Sequence, residues 1–153
     1  MNTIDSKALA RLMADGRSSW ADLGEHLGLS APAAAERVRK LEEAGTIRQF
    51  AAIPDPTLAG FPLLAFVFVT LQSQTKRKTF LDAVGRNGSI QECHHVAGDD
   101  DYLLKVRCQT MADLDRLLSE DLKGRMGVAR TRTTIVLGSA KETTALPVDR
   151  TVR

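Results

Sequence analysis

The sequence predicts an α+β chain, three short helices followed by a β-α-β-β-α-β domain, and three observations carry that expectation. Apolar residues recur at helical spacing as far as about residue 45, strict alternation replaces that period from Leu63 onward, and Pro54-Asp55-Pro56 with Gly60 separates the two regimes. The expected organisation is a helical domain over 1–53, a linker over 54–60 and a second domain over 61–153.

In the first helix Ile4, Ala8, Leu9, Leu12 and Met13 form one stripe, Asn2 or Thr3 caps it, and Asp15-Gly16-Arg17 ends it. Ser19, with Asp22 three residues on, opens the second helix as a capping box whose acid is one carbon shorter than usual. Trp20, Leu23 and Leu27 are its expected inner face, with Trp20 a core residue, and Gly28-Leu29 makes the turn. Ser30 caps the third helix, Pro32 is tolerated in its first turn, Ala34, Val38 and Leu41 face inward, and Gly45 terminates it. Residues 46–53 alternate loosely and suggest a short strand.

In the second domain Leu63, Ala65, Val67, Val69 and Leu71 alternate with Leu64, Phe66, Phe68 and Thr70, so the first strand is apolar on both faces. Phe80, Leu81 and Val84 stripe a helix, Ile90–Ala97 is a second strand, Gly98–Asp101 a turn and Tyr102–Cys108 a third strand. Thr110 with Asp113 starts a helix carrying Met111, Leu114, Leu118 and Leu122, and 127–137 supplies the fourth strand. Met111 and Met126 are expected in the core. The order is the ferredoxin-like split pattern. Helices on one face leave the other apolar face to a second copy of the chain, so self-association is expected.

Composition narrows the function. With 43% apolar and 26% charged residues the chain is an ordinary globular one, and its longest apolar stretch, Phe61–Val69, is too short to cross a membrane. The opening Asn2-Thr3-Ile4-Asp5 is not signal-like, and the two cysteines fit a reducing, cytoplasmic setting. Residues 1–60 hold seven Lys/Arg against eight Asp/Glu, and 61–153 fourteen against eleven, so any basic patch must be local. Arg37, Arg39, Lys40 and Arg48, with Arg17, are the candidates.

Two helices joined by Gly28-Leu29-Ser30, the second capped by Ser, match the helix-turn-helix of major-groove readers; a packing bundle is the plainer alternative. The cap helps present a positive helix end to phosphate. The outward face of the third helix carries Pro32, Ala33, Glu36, Arg37, Arg39 and Lys40. Ala33 suits a thymine methyl, Glu36 a cytosine amine, and Arg39 a guanine or a phosphate, although local ion pairing is the plainer role for Glu36 and Arg37. Cys93, His94 and His95 lack a second ligand pair at metal-site spacing, so no metal is expected.

The segments Ile4-Asp5-Ser6-Lys7, Asp15-Gly16-Arg17, Leu27-Gly28-Leu29-Ser30, Glu36-Arg37-Val38-Arg39-Lys40-Leu41-Glu42 and Gly45-Thr46-Ile47-Arg48 resemble the leucine-responsive/asparagine-regulator (Lrp/AsnC, feast/famine) family. Ile90-Gln91-Glu92-Cys93, Ala97 to Val106, Gly127-Val128 and Thr131-Arg132-Thr133 agree in the second half. The resemblance implies a winged helix-turn-helix joined to an amino-acid-sensing domain, a homodimer or higher multiple such as an octamer, and transcription regulation through double-stranded DNA. The cap and outward face of the third helix, with the basic residue that follows it, make Ser30, Pro32, Ala33, Glu36, Arg37, Arg39, Lys40 and Arg48 the candidate DNA contacts. Gly98, Asp99, Asp100 and Asp101, with Thr133, fall at an effector pocket between subunits, Asp101 accepting from an α-ammonium and Asp100 standing where the family usually has an aromatic. The expected cofactors are none beyond an amino-acid-like effector. Two alternatives share the architecture: an enzyme resembling the sirohaem decarboxylases, for which the three histidines show no matching pattern and no catalytic residues emerge, and a metabolite sensor that has lost DNA binding.

Overall fold

The structure, a computed structural model, describes residues 2–148, so the last five positions of the expected second domain, 149–153, lie outside the described residues. The chain forms two compact units. The first joins residues up to Ala52 with the segment that begins at Lys141, and the second runs from Ile53 to Ala140. The residues 54–60 group with the second unit, and the segment from Lys141 groups with the first.

The first unit is built from α1 (Thr3–Ala14), α2 (Trp20–Leu27) and α3 (Ala31–Glu43). Asn2 caps α1, its side chain accepting from the Asp5 N–H at 2.9 Å while the Asp5 carboxylate accepts from the Asn2 N–H. Ser19 caps α2, but Asp22 takes the Ser19 hydroxyl at 2.7 Å, so the expected box is closed through the side chains. Both α2 and α3 end in the same way. The Leu29 N–H reaches the Gly24 carbonyl at 2.8 Å with Gly28 at φ 67°, and the Thr46 N–H reaches the Leu41 carbonyl at 2.9 Å with Gly45 at φ 70°. Each is a left-handed glycine closing the orphan carbonyls of a helix end.

Leu12, Leu23, Ala34 and Val38 form one apolar cluster and Ala8, Leu9 and Leu41 a second, with Leu27 and Ile47 against both and Val148 against the second. The Leu146 N–H also donates to Met13 Sδ at 3.3 Å, which ties the returning tail to α1. Trp20 is not in this core: it is 47% exposed. It stands at the first position of α2, and a helical side chain leans toward the preceding turn, which here lies beyond the helix. The expected strand over 46–53 does not form either, since among the described residues these positions pair with no strand and an extended segment without a ladder is not a sheet.

The second unit is a four-stranded antiparallel sheet in the order β2-β3-β1-β4, with β1 at Leu63–Leu71, β2 at Ile90–His95, β3 at Tyr102–Cys108 and β4 at Val128–Ile135. α4 (Arg77–Val84) and α5 (Met111–Arg116) supply the helices. Ala65, Val67, Val69, Leu71, Leu104 and Val106 pack with Phe80, Val84, Leu114, Leu117 and Leu122 on one face, as the alternation predicts. The helix expected to run on from Thr110 is corrected in its second half. Leu117–Arg125 widens into π-helical turns, so the buried residues are Leu114, Leu117 and Leu122, and Leu118 is only half-buried. Hydrogen bonds from i to i+5 advance the inward face by more than a 3.6-residue period allows. Met126 is buried as expected, whereas Met111, at the first turn of α5, is 56% exposed.

The other face of the sheet carries Leu64, Phe66, Phe68 and Thr70 of β1. In register beside them stand Arg107, Lys105 and Leu103 of β3 and Thr134, Arg132 and Arg130 of β4. Leu64 and Arg107 are buried at one end of that face, whereas Phe66, Phe68, Thr70, Leu103 and Lys105 are half-buried and Arg130, Arg132 and Thr134 exposed.

Candidate nucleic-acid interface and effector turn

In α3 the residues on the side away from Ala34, Val38 and Leu41 are exposed: Pro32, Ala33, Glu36, Arg39, Lys40 and Glu43. Ser30 Oγ accepts from the Ala33 N–H at 3.3 Å and so sets where the helix begins. The charges on this face are not independent. Arg39 donates to both oxygens of Glu36, Nε to Oε2 at 2.9 Å and Nη2 to Oε1 at 2.6 Å, and its Nη1 donates to Glu43. Lys40 approaches Glu36 at 3.7 Å. The bond from Arg39 holds the Glu36 carboxyl below its usual value, and the same bond raises Arg39, so both stay charged.

Arg37 departs from the expected outward placement. It lies three residues after Ala34 and four before Leu41, on the flank of the buried stripe, and its guanidinium meets Asp5 of α1 at 2.5 Å and Asn2 at 3.4 Å. It is an inter-helix strut. Arg48 is exposed in the segment after Gly45 and forms no ion pair among the described residues, and Arg17 is exposed in the turn after α1. A cavity of about 450 Å³ between α1 and α3 is lined by Asp5, Glu36, Arg37 and Lys40.

In the second unit the turn 98–101 is tied to the sheet. The Asp101 N–H donates to the Val69 carbonyl at 2.8 Å, and the Asp101 carboxylate accepts from the Leu71 N–H at 2.8 Å. Asp100 is buried, 9% exposed, and accepts from Thr70 Oγ1 and Arg132 Nη2, each at 3.1 Å, with Arg130 Nη2 at 3.5 Å. Burial pushes its carboxyl up, but the bonds from Arg132 and Thr70 and the charges of Arg132 and Arg130 outweigh this and hold it below the usual range. Gly98 and Asp99 remain exposed. Of the three adjacent carboxylates, two are thus already engaged by the protein itself.

Thr133 is not brought to this cluster. It pairs with Val67, two residues along β1 from the carbonyl that Asp101 bonds, and alternation puts its side chain on the face of Val67 rather than that of Phe68. The groups that do reach Asp100 are Thr70, Arg130 and Arg132, which periodicity alone does not single out. Arg130 and Arg132, two apart on one strand, share a face by alternation; only the register of β4 against β1 carries them to Asp100. Next to the turn, the Tyr102 hydroxyl is buried without a hydrogen-bond partner among the described residues. His94 bonds Glu92 at 3.1 Å, and among the described residues no cluster of His, Cys, Asp and Glu is arranged to hold a metal ion.

Residues 1–42 match the AsnC-type helix-turn-helix domain, and residues 64–146 match the Lrp/AsnC ligand binding domain. The leucine-responsive regulatory protein of Escherichia coli K12 is 39% identical over 97% of this chain and 92% of its own length, and that of Klebsiella pneumoniae is equally similar. Among solved structures, a transcriptional regulator of Neisseria meningitidis crystallised with L-methionine superposes with a TM-score of 0.92 at 29% identity, covering 97% of each chain. An AsnC family transcriptional regulator from Agrobacterium tumefaciens gives 0.90 at 28% identity, over 99% of this chain and 100% of that one.

Proposed function

This chain belongs to the Lrp/AsnC family of transcriptional regulators, and from that premise we propose that α3 docks in the major groove of duplex DNA and that the turn 98–101 serves an amino-acid effector. The observation that carries the DNA reading is the division of α3 into a buried stripe, Ala34-Val38-Leu41, and an exposed charged face that starts at a Ser-capped helix end. Ser30, Pro32, Ala33, Arg39, Lys40 and Arg48 are the proposed contacts, Glu36 takes part through the ion pair that it forms with Arg39, and Arg37 acts by fixing α3 against α1.

For the effector, Gly98, Asp99 and the remaining acceptor capacity of Asp101 are the groups available to a ligand's ammonium and carboxylate. The Neisseria relative bound to L-methionine supports an amino acid as the class. Assembly as a homodimer, and in higher multiples such as an octamer, is proposed through the sheet face bearing the half-buried Phe66, Phe68 and Leu103. A two-fold dimer favours near-palindromic sites. The proposed role is regulatory rather than catalytic, and cytoplasmic, where Cys93 and Cys108 stay as the free thiols seen here.

The test is a gel shift of the full-length protein on DNA from upstream of its own gene, over a salt series and with a panel of amino acids. A retarded complex whose log affinity falls linearly with log salt is expected. Lys40→Ala should reduce that slope by about 0.9 for each phosphate the side chain neutralises. The absence of any complex at about 50 mM salt, where electrostatic binding is strong, overturns the reading.

A further inference from the structure

We infer, resting on the proposed docking of α3 in the major groove, that Arg39 reads a guanine base and that Glu36 and Glu43 are positioning residues that aim its guanidinium. The arrangement begins with helix geometry. Side chains on a helix lean toward its N-terminus, so Arg39 reaches back over Glu36 and Glu43 reaches back over Arg39. The guanidinium is thereby carried from the level of its own Cα toward the first turns of α3, the part of a recognition helix that meets base edges.

There it is held on two sides. Glu36 takes Nε and Nη2 through its two oxygens at 2.9 and 2.6 Å, and Glu43 takes Nη1. A guanidinium has five N–H donors in one plane, and these bonds use three of them. One N–H on Nη1 and one on Nη2 remain, the number of donors that the O6 and N7 acceptors of guanine take in the major groove. Arg39 is 55% exposed, so the free edge is open to a ligand.

The charge balance points the same way. Glu36, Arg39, Lys40 and Glu43 sum to zero, and they are linked to one another. A face meant to attract phosphate indiscriminately gains nothing from two carboxylates against its own arginine, because non-specific affinity comes from cations neutralising the backbone. Exposed ion pairs of this kind add little stability either. What the two acids supply is orientation: a long, rotatable side chain enters the groove with its donor pair already set, and its charge is less free to settle on a neighbouring phosphate. Arg37 contributes by fixing α3 itself, and it takes no part in the reading.

The experiment selects binding sites from a randomised duplex pool with full-length wild type, Arg39→Ala, Arg39→Lys and the double variant Glu36→Gln/Glu43→Gln. Affinities are then measured for the selected duplex and for its single guanine-to-adenine change across a salt series, with thermal melts confirming that each variant is folded. Wild type is expected to select an invariant guanine and to lose roughly 5- to 150-fold on its replacement. Arg39→Ala should bind both duplexes alike. Arg39→Lys should keep the salt slope but lose the preference, because an ammonium has the charge without the fork. The double variant should lose several-fold in discrimination while its salt slope steepens, by up to about 0.9 per additional phosphate neutralised. Undiminished discrimination in the double variant overturns the positioning role. A guanine preference that persists in Arg39→Ala overturns the base contact while leaving DNA binding standing, and failure of wild type to bind any duplex overturns both.

Discussion

Arg132 of β4 holds its guanidinium 3.9 Å above the ring of Phe68 on the neighbouring strand β1. The stacking is electrostatic, a cation on the negative face of an aromatic ring, and it presents Arg132 Nη2 to Asp100 at 3.1 Å. A side chain on the open sheet face is thereby coupled to the turn proposed to bind effector. Asp100 meets Phe68 through Arg132.

The first prediction builds on that coupling and concerns pH. Asp100 has a depressed folded-state pKa, so its stabilising contribution is fully present above the unfolded value near 4 and is lost as pH falls through the lower folded value. Asp100→Asn should therefore be less stable than wild type at neutral pH, and the gap should narrow below about pH 4. Urea denaturation of both proteins between neutral and acid pH checks it; a gap that stays constant removes the ion pair as its cause.

A second prediction concerns Gly24, buried in the middle of α2. A Cβ there would lie 2.7 Å from the Leu29 carbonyl oxygen and 3.2 Å from the Ala31 nitrogen. Helix propensity alone favours Gly→Ala by about 1 kcal/mol, but the contacts are backbone on both sides of the helix-turn-helix turn and cannot swing away. Gly24→Ala should lose roughly 1–3 kcal/mol by overpacking and weaken DNA binding by displacing α3. A raised melting temperature would show that the turn relaxes freely.

Effector selectivity is the third. Asp100→Phe removes the acceptor that holds Arg130 and Arg132 and introduces an aromatic, so it should change which amino acid binds best. Asp101→Ala should abolish or shift the response while leaving effector-free DNA binding largely intact. Isothermal titration against a panel of amino acids decides; unchanged affinity and order in both variants would move the site elsewhere.

The fourth prediction tests assembly. Phe66 and Phe68 lie among Lys105, Arg130 and Arg132, so Phe66→Lys adds a further cation to a face that must be desolvated for two copies to meet. Sedimentation of the full chain at micromolar concentration should show the dimer weakened while the monomer's circular dichroism is kept. An unaltered sedimentation coefficient would place the dimer contact off this face.

Last, Tyr102→Phe should be neutral or stabilising. The hydroxyl is buried and unpaired among the described residues, and an unsatisfied buried donor costs about 1–3 kcal/mol, while the ring contact with Phe80 at 4.9 Å is retained. A lowered melting temperature would reveal a partner for the hydroxyl.

The three helices of the first unit, the start of α5 and the strand β1 were legible in the sequence because each is signalled locally, whereas the π-helical turns after α5 and the lack of a strand over 46–53 were not. Asn2, Ser19, Ser30 and Thr110 mark helix starts by short-range hydrogen bonds, Gly28 and Gly45 mark ends by the one backbone conformation that favours them, and alternation in Leu63–Leu71 needs no knowledge of partners. What crosses elements was decided only by tertiary structure. Whether Arg37 faces DNA or Asp5 depends on where α1 lies, and whether Asp100 is a solvated turn residue or a buried ion-pair acceptor depends on the register of β4 against β1. The exposure of Trp20 and Met111, each at a helix's first turn, depends on where the neighbouring packing stops. Periodicity assigns a side chain to a face of its own element, but charge pairing and burial are set by distances of a few ångströms between elements, and those come from packing the whole unit.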